Sequence, residues 1–161
     1  MIRSVNADDA GALCALYNHY IEHSIVTFEE EPVSVNAFQE RIKSITASYP
    51  WLIYESDGEI AGYVYASPWK TRHAYRYAAE STVYIVPGQY GKGIGTALYE
   101  RLISDLKAQS VHAVMAGIAL PNDASIALHE KVGFEKVAHF KEVGWKFERW
   151  VDVAYWELML K

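Results

Sequence analysis

The 161 residues are 51% apolar and 22% charged, with a formal net charge of −5. That length suits one domain with a substantial core, and the composition is that of an ordinary soluble protein. An acidic chain is not built to hold nucleic acid electrostatically, and no run approaches the length of a membrane span. Met1-Ile2-Arg3-Ser4 lacks the apolar core of a signal peptide, and the single cysteine, Cys14, excludes an internal disulfide. A reducing cytoplasm is therefore the expected compartment.

In chain order, Ile2 to Val5 reads as a first strand. Asp8 to Glu22 reads as a helix with Ala10, Leu13, Leu16, Tyr17 and Tyr20 on one side. Ser34 to Ile45 reads as a second helix, with Ser34 as its N-cap. Trp51 to Tyr54 and Ile60 to Ala66 pair as a hairpin across the turn signal Ser56-Asp57-Gly58. Ala78 to Val86 is a strand that stops at Pro87-Gly88. A third helix carries Ile94, Leu98, Leu102 and Leu106 on one face and ends in polar residues from Lys107 to Ser110. Val111 to Leu120 reads as a buried strand. A short fourth helix opens on Asn122 or Asp123 as N-cap and stops at Gly133. Phe134 to Phe140 and Val151 to Leu160 are the last strands, giving a mixed sheet flanked by helices.

The segment between the Ala78–Val86 strand and the third helix carries the chemistry. Gln89-Tyr90-Gly91-Lys92-Gly93-Ile94-Gly95-Thr96 places three glycines where a strand turns into a helix. Amides at such a turn lack intrahelical partners, and the helix dipole adds positive potential, so the turn suits a phosphate or pyrophosphate. A Walker loop requires a wider glycine spacing before its lysine, so that reading fails. A dinucleotide fingerprint requires an acid at the end of the next strand, which here ends at Pro121-Asn122. The remaining pattern, Gln/Arg-x-x-Gly-x-Gly/Ala, resembles the pyrophosphate loop of the GNAT N-acetyltransferases, which bind acetyl-CoA. The succession of strand, glycine loop, helix, strand, Asn-capped helix and Gly133-Phe134 is similar to the core of that family. The resemblance implies an α/β GNAT fold spanning residues 1–161, with a mixed, mostly antiparallel sheet of about seven strands and about four flanking helices.

Four further segments narrow the resemblance: Tyr17 to Glu22, Thr27-Phe28 to Pro32, Pro68 to Tyr84, and Leu120 to Glu130. Together with Gly144-Trp145-Lys146 to Val153, they are similar to the phosphinothricin and methionine sulfoximine N-acetyltransferases over almost the whole chain. The implied substrate is a small amino acid bearing a carboxylate and a second tetrahedral polar group.

Residue chemistry agrees with that implication. Acetyl transfer needs a neutral amine, and Glu80 lies in the strand leading to the glycine loop, on one face with Thr82, Tyr84 and Val86. A partly desolvated carboxylate there takes the proton of a substrate ammonium, directly or through a water, and the resemblance assigns Glu80 the same general-base role. Lys70, Arg72 and Arg76 form a cationic cluster just before it, suited to a carboxylate.

The resemblance places Phe28, Lys70, Thr71, Arg72, Tyr75, Ser81 and Thr82 around the substrate. It places the backbone of Val83, Tyr84 and Ile85 along the pantetheine arm, and the loop from Gln89 and Gly91 through Lys92, Gly93, Ile94, Gly95 and Thr96 on the pyrophosphate. Asn122, Ser125 and Lys131 also contact the cofactor in that reading, and the usual assembly is a homodimer with Trp145 to Phe147 toward the partner. His129 is open between protonating the leaving thiolate, orienting the acetyl group and a structural role.

His19-Tyr20-Ile21-Glu22-His23 matches the His-x-x-Glu-His zinc pattern, but no third ligand is evident, so no metal is expected. Two rivals share the fold: an acetyltransferase acting on a protein N-terminus or another small amine, and a cofactor-binding module without catalysis.

Overall fold

The computed structural model describes residues 1–161. Its elements run β1 (Ile2–Ser4), α1 (Ala10–His23), α2 (Val35–Thr46), β2 (Trp51–Ser56), β3 (Glu59–Pro68), β4 (Ala78–Ile85), α3 (Ile94–Ala108), β5 (Ala113–Ala119), α4 (Asp123–Lys131), β6 (Glu135–Lys146) and β7 (Arg149–Met159). The strands form one sheet in the order β1-β2-β3-β4-β5-β7-β6, in which only the β4–β5 pair is parallel. No helix is long and apolar enough to cross a membrane.

Local chemistry explains most boundaries. The Ser34 hydroxyl accepts the Ala37 amide at 3.1 Å and starts α2. The Asn122 side chain accepts the Ser125 amide at 3.1 Å and starts α4. Asp57 and Gly58 both take positive φ (53° and 78°), the backbone that a two-residue hairpin between β2 and β3 requires.

Two cores sandwich the sheet. On one face the α3 residues Leu98, Leu102 and Leu106, all fully buried, pack with Val64, Ala79, Val114, Ala154 and Trp156. Each such leucine contributes about 1.5–3 kcal/mol of apolar burial. On the other face α1 and α2 pack Leu13, Ile21, Phe38 and Ile42 against Trp51, Ile53 and Tyr63. Beyond β4 this second face changes character. The connector between α1 and α2 covers it, with Ile25 packed on Ala119 and Val151, and Trp69 lies edge-on to Tyr155 at 5.3 Å.

The structure departs from the sequence reading at the end of the chain. β6 continues to Lys146 rather than ending near Phe140, and β7 begins at Arg149. Irregularities between Lys136 and Ala138 and between Phe140 and Gly144 interrupt the pairing, so the two-residue alternation that marks a strand is lost. The β6–β7 turn uses Phe147 and Glu148 at positive φ (54° and 59°) instead of glycine or asparagine, and so carries no sequence signal.

Candidate active site

β4 and β5 pair over Ala78–Ala113, Ala79–Val114 and Glu80–Met115 only. Beyond Glu80 the strands diverge, opening a cleft of about 1500 Å³ through the sheet. Because Val86 donates its amide to Ala61 on β3, alternation along β4 turns the backbone of Thr82 and Tyr84 toward β3 as well. The backbone groups of Val83 and Ile85 face the cleft, where no strand meets them. The Tyr20 hydroxyl, itself hydrogen-bonded to Tyr90, donates to the Ile85 carbonyl, which joins α1 to the end of β4 and the glycine loop.

One end of the cleft rises to the glycine loop and the start of α3. Gly93 caps the helix at φ 78° without a side-chain bond, and the first amide to reach a backbone acceptor is that of Ala97. The amides of Ile94, Gly95 and Thr96 are thus free donors at the positive end of a 15-residue helix. Gly95 has a different role: a Cβ there would lie 2.8 Å from Leu128, so the glycine lets α3 and α4 approach closely. This end is built for an anion.

The other end carries charged side chains. Glu80 is half-buried and makes no hydrogen bond or ion pair within the chain; burial raises its pKa, and the Lys70 ammonium offsets part of the rise. Lys70, Tyr75, Trp69 and Tyr155 line the wall around it. Phe28, 41% exposed, rests on Gly144, where a Cβ would lie 2.3 Å from the ring.

Lys146, which sequence reasoning placed only within the Trp145–Phe147 stretch toward a partner, instead points inward and anchors this wall. The residue is 2% exposed, and its ammonium donates to the Ser24 carbonyl at 2.7 Å and the Thr27 carbonyl at 2.8 Å. Burial lowers its pKa, while Glu30 and Glu29 oppose that shift. The bonds clamp the α1–α2 connector to β6 across more than a hundred residues of chain. The Tyr17 hydroxyl bonds the Thr27 hydroxyl at 2.9 Å and steadies the same connector.

A buried chain of hydrogen bonds runs beneath the cleft. Nδ1 of His129 lies 2.7 Å from the Ser125 carbonyl, which can only accept, so Nδ1 carries the proton. Nε2 then accepts from the Tyr99 hydroxyl at 2.7 Å, and the Tyr99 oxygen accepts from the Ser81 hydroxyl at 2.9 Å. Burial lowers the His129 pKa, in keeping with this neutral ring. Both ring nitrogens are engaged, and Ser81 is the end of the chain on β4. Tyr99 is absent from the sequence reading, which followed the leucine stripe of α3. The available signal was a tyrosine inside an apolar helix, which needs a buried partner for its hydroxyl.

The structure brings many of the expected residues together. Phe28, Lys70, Tyr75, Glu80, Ser81, Thr82, Val83, Tyr84, Ile85, Asn122, Ser125 and His129 line the cleft. Gly91, Lys92, Gly93 and Ile94 form the loop and helix start beyond it, and Lys92 donates to the Gln89 side chain at 3.0 Å. Thr71 and Arg72 are exposed and lie outside the cleft wall, as does Arg76, which stacks on Tyr77 at 4.6 Å. Lys131 is exposed at the end of α4. The His19 and His23 rings lie 4.9 Å apart, tilted by 47°, and no group of three or more His, Cys, Asp or Glu side chains converges there or elsewhere.

Comparison with known proteins places this geometry. Residues 2–155 match the family described as "Acetyltransferase (GNAT) domain". The chain is 40% identical to the phosphinothricin N-acetyltransferase of Streptomyces viridochromogenes, over 97% of this chain and 85% of that one. It is 34% identical to the L-methionine sulfoximine/L-methionine sulfone acetyltransferase of Salmonella typhimurium, over 99% of this chain and 94% of that one. An acetyltransferase structure from Salmonella typhimurium, solved with its cofactor acetyl-CoA, superposes with a TM-score of 0.97 at 33% identity, covering 100% of this chain and 94% of the other. A sheet split between β4 and β5, a glycine-capped helix at one end of the split and a matching family profile have one reading: the chain belongs to the GNAT acetyltransferases.

Proposed function

We propose that this enzyme transfers the acetyl group of acetyl-CoA to the α-amine of a small glutamate- or methionine-like amino acid, of the phosphinothricin, methionine sulfoximine or methionine sulfone type. The observation that carries the reading is Glu80: an unpaired, half-buried carboxylate of raised basicity, placed where β4 and β5 part and beside the cleft's one lysine, Lys70. The names of the relatives at 40% and 34% identity support the amino-acid class.

Acetyl-CoA supplies an activated thioester carbonyl. The free amides of Ile94, Gly95 and Thr96 suit its pyrophosphate, and the cleft-facing backbone of Val83 suits its pantetheine arm and acetyl carbonyl. Glu80 takes one proton from the substrate ammonium, directly or through a water, so that the neutral amine attacks the thioester carbonyl; the C–S bond breaks, and the amine's second proton ends on the departing coenzyme A thiolate. Lys70 pairs with the substrate carboxylate, and Phe28 and Tyr75 wall the side chain. The neutral, doubly bonded His129 positions Tyr99 and Ser81 under the cleft floor.

A second copy of this chain covers the β6–β7 end, making a homodimer. The support is a cluster of half-exposed apolar residues on an edge hairpin: Phe140, Val143, Trp145, Phe147 and Trp150. Sedimentation at several concentrations tests it; a monomer at micromolar concentration would argue against the partner.

The catalytic test is thiol release from acetyl-CoA with phosphinothricin, methionine sulfoximine and methionine sulfone, against spermidine and a peptide with a free N-terminus. Turnover confined to the amino-acid analogues supports the reading, whereas turnover of peptide or polyamine alone overturns the substrate class. Glu80→Gln should lower kcat about 10²–10⁴-fold. The acidic limb of the wild-type kcat/KM profile should sit above the ordinary glutamate value of 4.5, because burial raises the pKa. Full activity of Glu80→Gln across the pH range would refute the base assignment.

A further inference from the structure

The wall of the cleft holds a second carboxylate that the acetyl-transfer reading does not use. Glu80, Lys70 and Glu157 are the only Asp, Glu, Lys or Arg side chains that line it. Glu80 pairs with Met115 across β4–β5, and Met115 pairs with Glu157 across β5–β7. Residues directly opposite one another in a sheet point to the same face, so the three side chains form one row with Met115 in the middle. Two strand spacings separate the outer Cα atoms by about 10 Å, a gap on the scale of a small amino acid.

Nothing nearby neutralises Glu157. It makes no hydrogen bond or ion pair within the chain, and its partner across β6–β7 is another acid, Glu135. The adjacent Lys136 pairs with Trp156, on the opposite face of the sheet, and lies over that indole at 5.8 Å. With Glu80 assigned to the substrate ammonium and Lys70 to its carboxylate, Glu157 is the remaining charged side chain of the cleft wall.

We propose that Glu157 sets the charge selectivity of the substrate cleft, favouring amino acids whose far end is an uncharged polar group, such as a sulfone or sulfoximine, over those ending in an anion, such as a phosphinate. The proposal rests on the amino-acid reading above. An anion held about 8 Å from Glu157 in a half-solvated cleft is disfavoured by about a factor of ten relative to a neutral isostere.

The experiment measures kcat/KM for methionine sulfone and phosphinothricin with the wild-type protein and with Glu157→Gln. The expected result is a wild-type preference for the sulfone, and a ratio that moves about tenfold toward phosphinothricin in the variant. A ratio unmoved within about twofold overturns the role of Glu157. The wild-type protein gives an independent reading, since salt screens the repulsion and should narrow the preference. A preference indifferent to salt overturns the proposal even if the variant fails to fold. Turnover of neither compound overturns the amino-acid reading and this inference with it, whereas turnover of both with an unmoved ratio overturns the inference alone.

Discussion

Replacing Tyr99 with phenylalanine removes a single oxygen from the core and leaves the ring, and hence the packing, in place. Tyr99 is fully buried, and that oxygen bonds Ser81 at 2.9 Å and Nε2 of His129 at 2.7 Å. Neither partner has an easy substitute: Ser81 is 6% exposed, His129 is 3% exposed, and Nδ1 of His129 is already held by the Ser125 carbonyl. Two buried polar groups therefore lose a partner at about 1–2 kcal/mol each, a total of about 2–4 kcal/mol. For a domain of this size each kcal/mol moves Tm by about 2–4 °C, so the variant should melt about 5–15 °C lower. Thermal unfolding followed by circular dichroism reads this directly. Nitrogen chemical shifts of the His129 ring in the wild-type protein should report a neutral ring protonated at Nδ1. A Tm change below about 2 °C, or a ring protonated at Nε2, would refute the reasoning.

Other parts of the structure yield further expectations. Lys146→Met removes a buried charge with little change of volume but leaves the Ser24 and Thr27 carbonyls without their donor, so stability should fall by about 1–3 kcal/mol. The α1–α2 connector loses both clamps, and KM for the amine substrate should rise several-fold; steady-state kinetics at saturating acetyl-CoA would show it, and an unchanged KM would detach Lys146 from the site. Gly93→Ala places a side chain at φ 78°, where it meets nothing within 4 Å but strains the backbone by about 1 kcal/mol. Calorimetry should find acetyl-CoA binding weakened about five- to tenfold, and wild-type affinity would argue against this helix start as the anion seat.

Arg3 bonds Asp9 through two nitrogens at 2.8 Å each and holds its carboxyl below the ordinary value of 3.8. A depressed carboxylate pKa contributes stability above the unfolded pKa and loses it as pH falls through the folded value. The wild-type advantage over Arg3→Met should thus be about 1–2 kcal/mol at neutral pH, after allowing for the partly exposed guanidinium, and shrink below about pH 4. Urea melts at the two pH values check the sign.

Where a feature depends on neighbours in sequence, it was legible. The Ser34 and Asn122 caps, the Asp57-Gly58 turn and the leucine stripe of α3 follow from bonds and periods a few residues long, and the structure places them where the sequence pattern does. The glycine loop announces an anion for the same reason, because free amides at a helix start are a local property. The β6–β7 hairpin shows the limit. Its turn uses Phe147 and Glu148, and its strand is interrupted, so the pattern that would reveal it is absent.

The cleft itself is a tertiary object. Only the divergence of β4 from β5 after Glu80 leaves a strand glutamate as a half-buried, unpaired carboxylate, and desolvation by distant residues raises its pKa. Ser81, Tyr99 and His129 come from three elements, Lys146 reaches back to Ser24 and Thr27 from the far end of the chain, and Glu157 enters the wall through strand pairing with Met115. By itself the sequence determined most of the elements, the glycine loop and the family resemblance, because local hydrogen bonding, side-chain period and motif spacing are written in short stretches. Register and burial decided which charges face the cleft, because pKa and hydrogen-bond partners depend on atoms that only folding brings within reach.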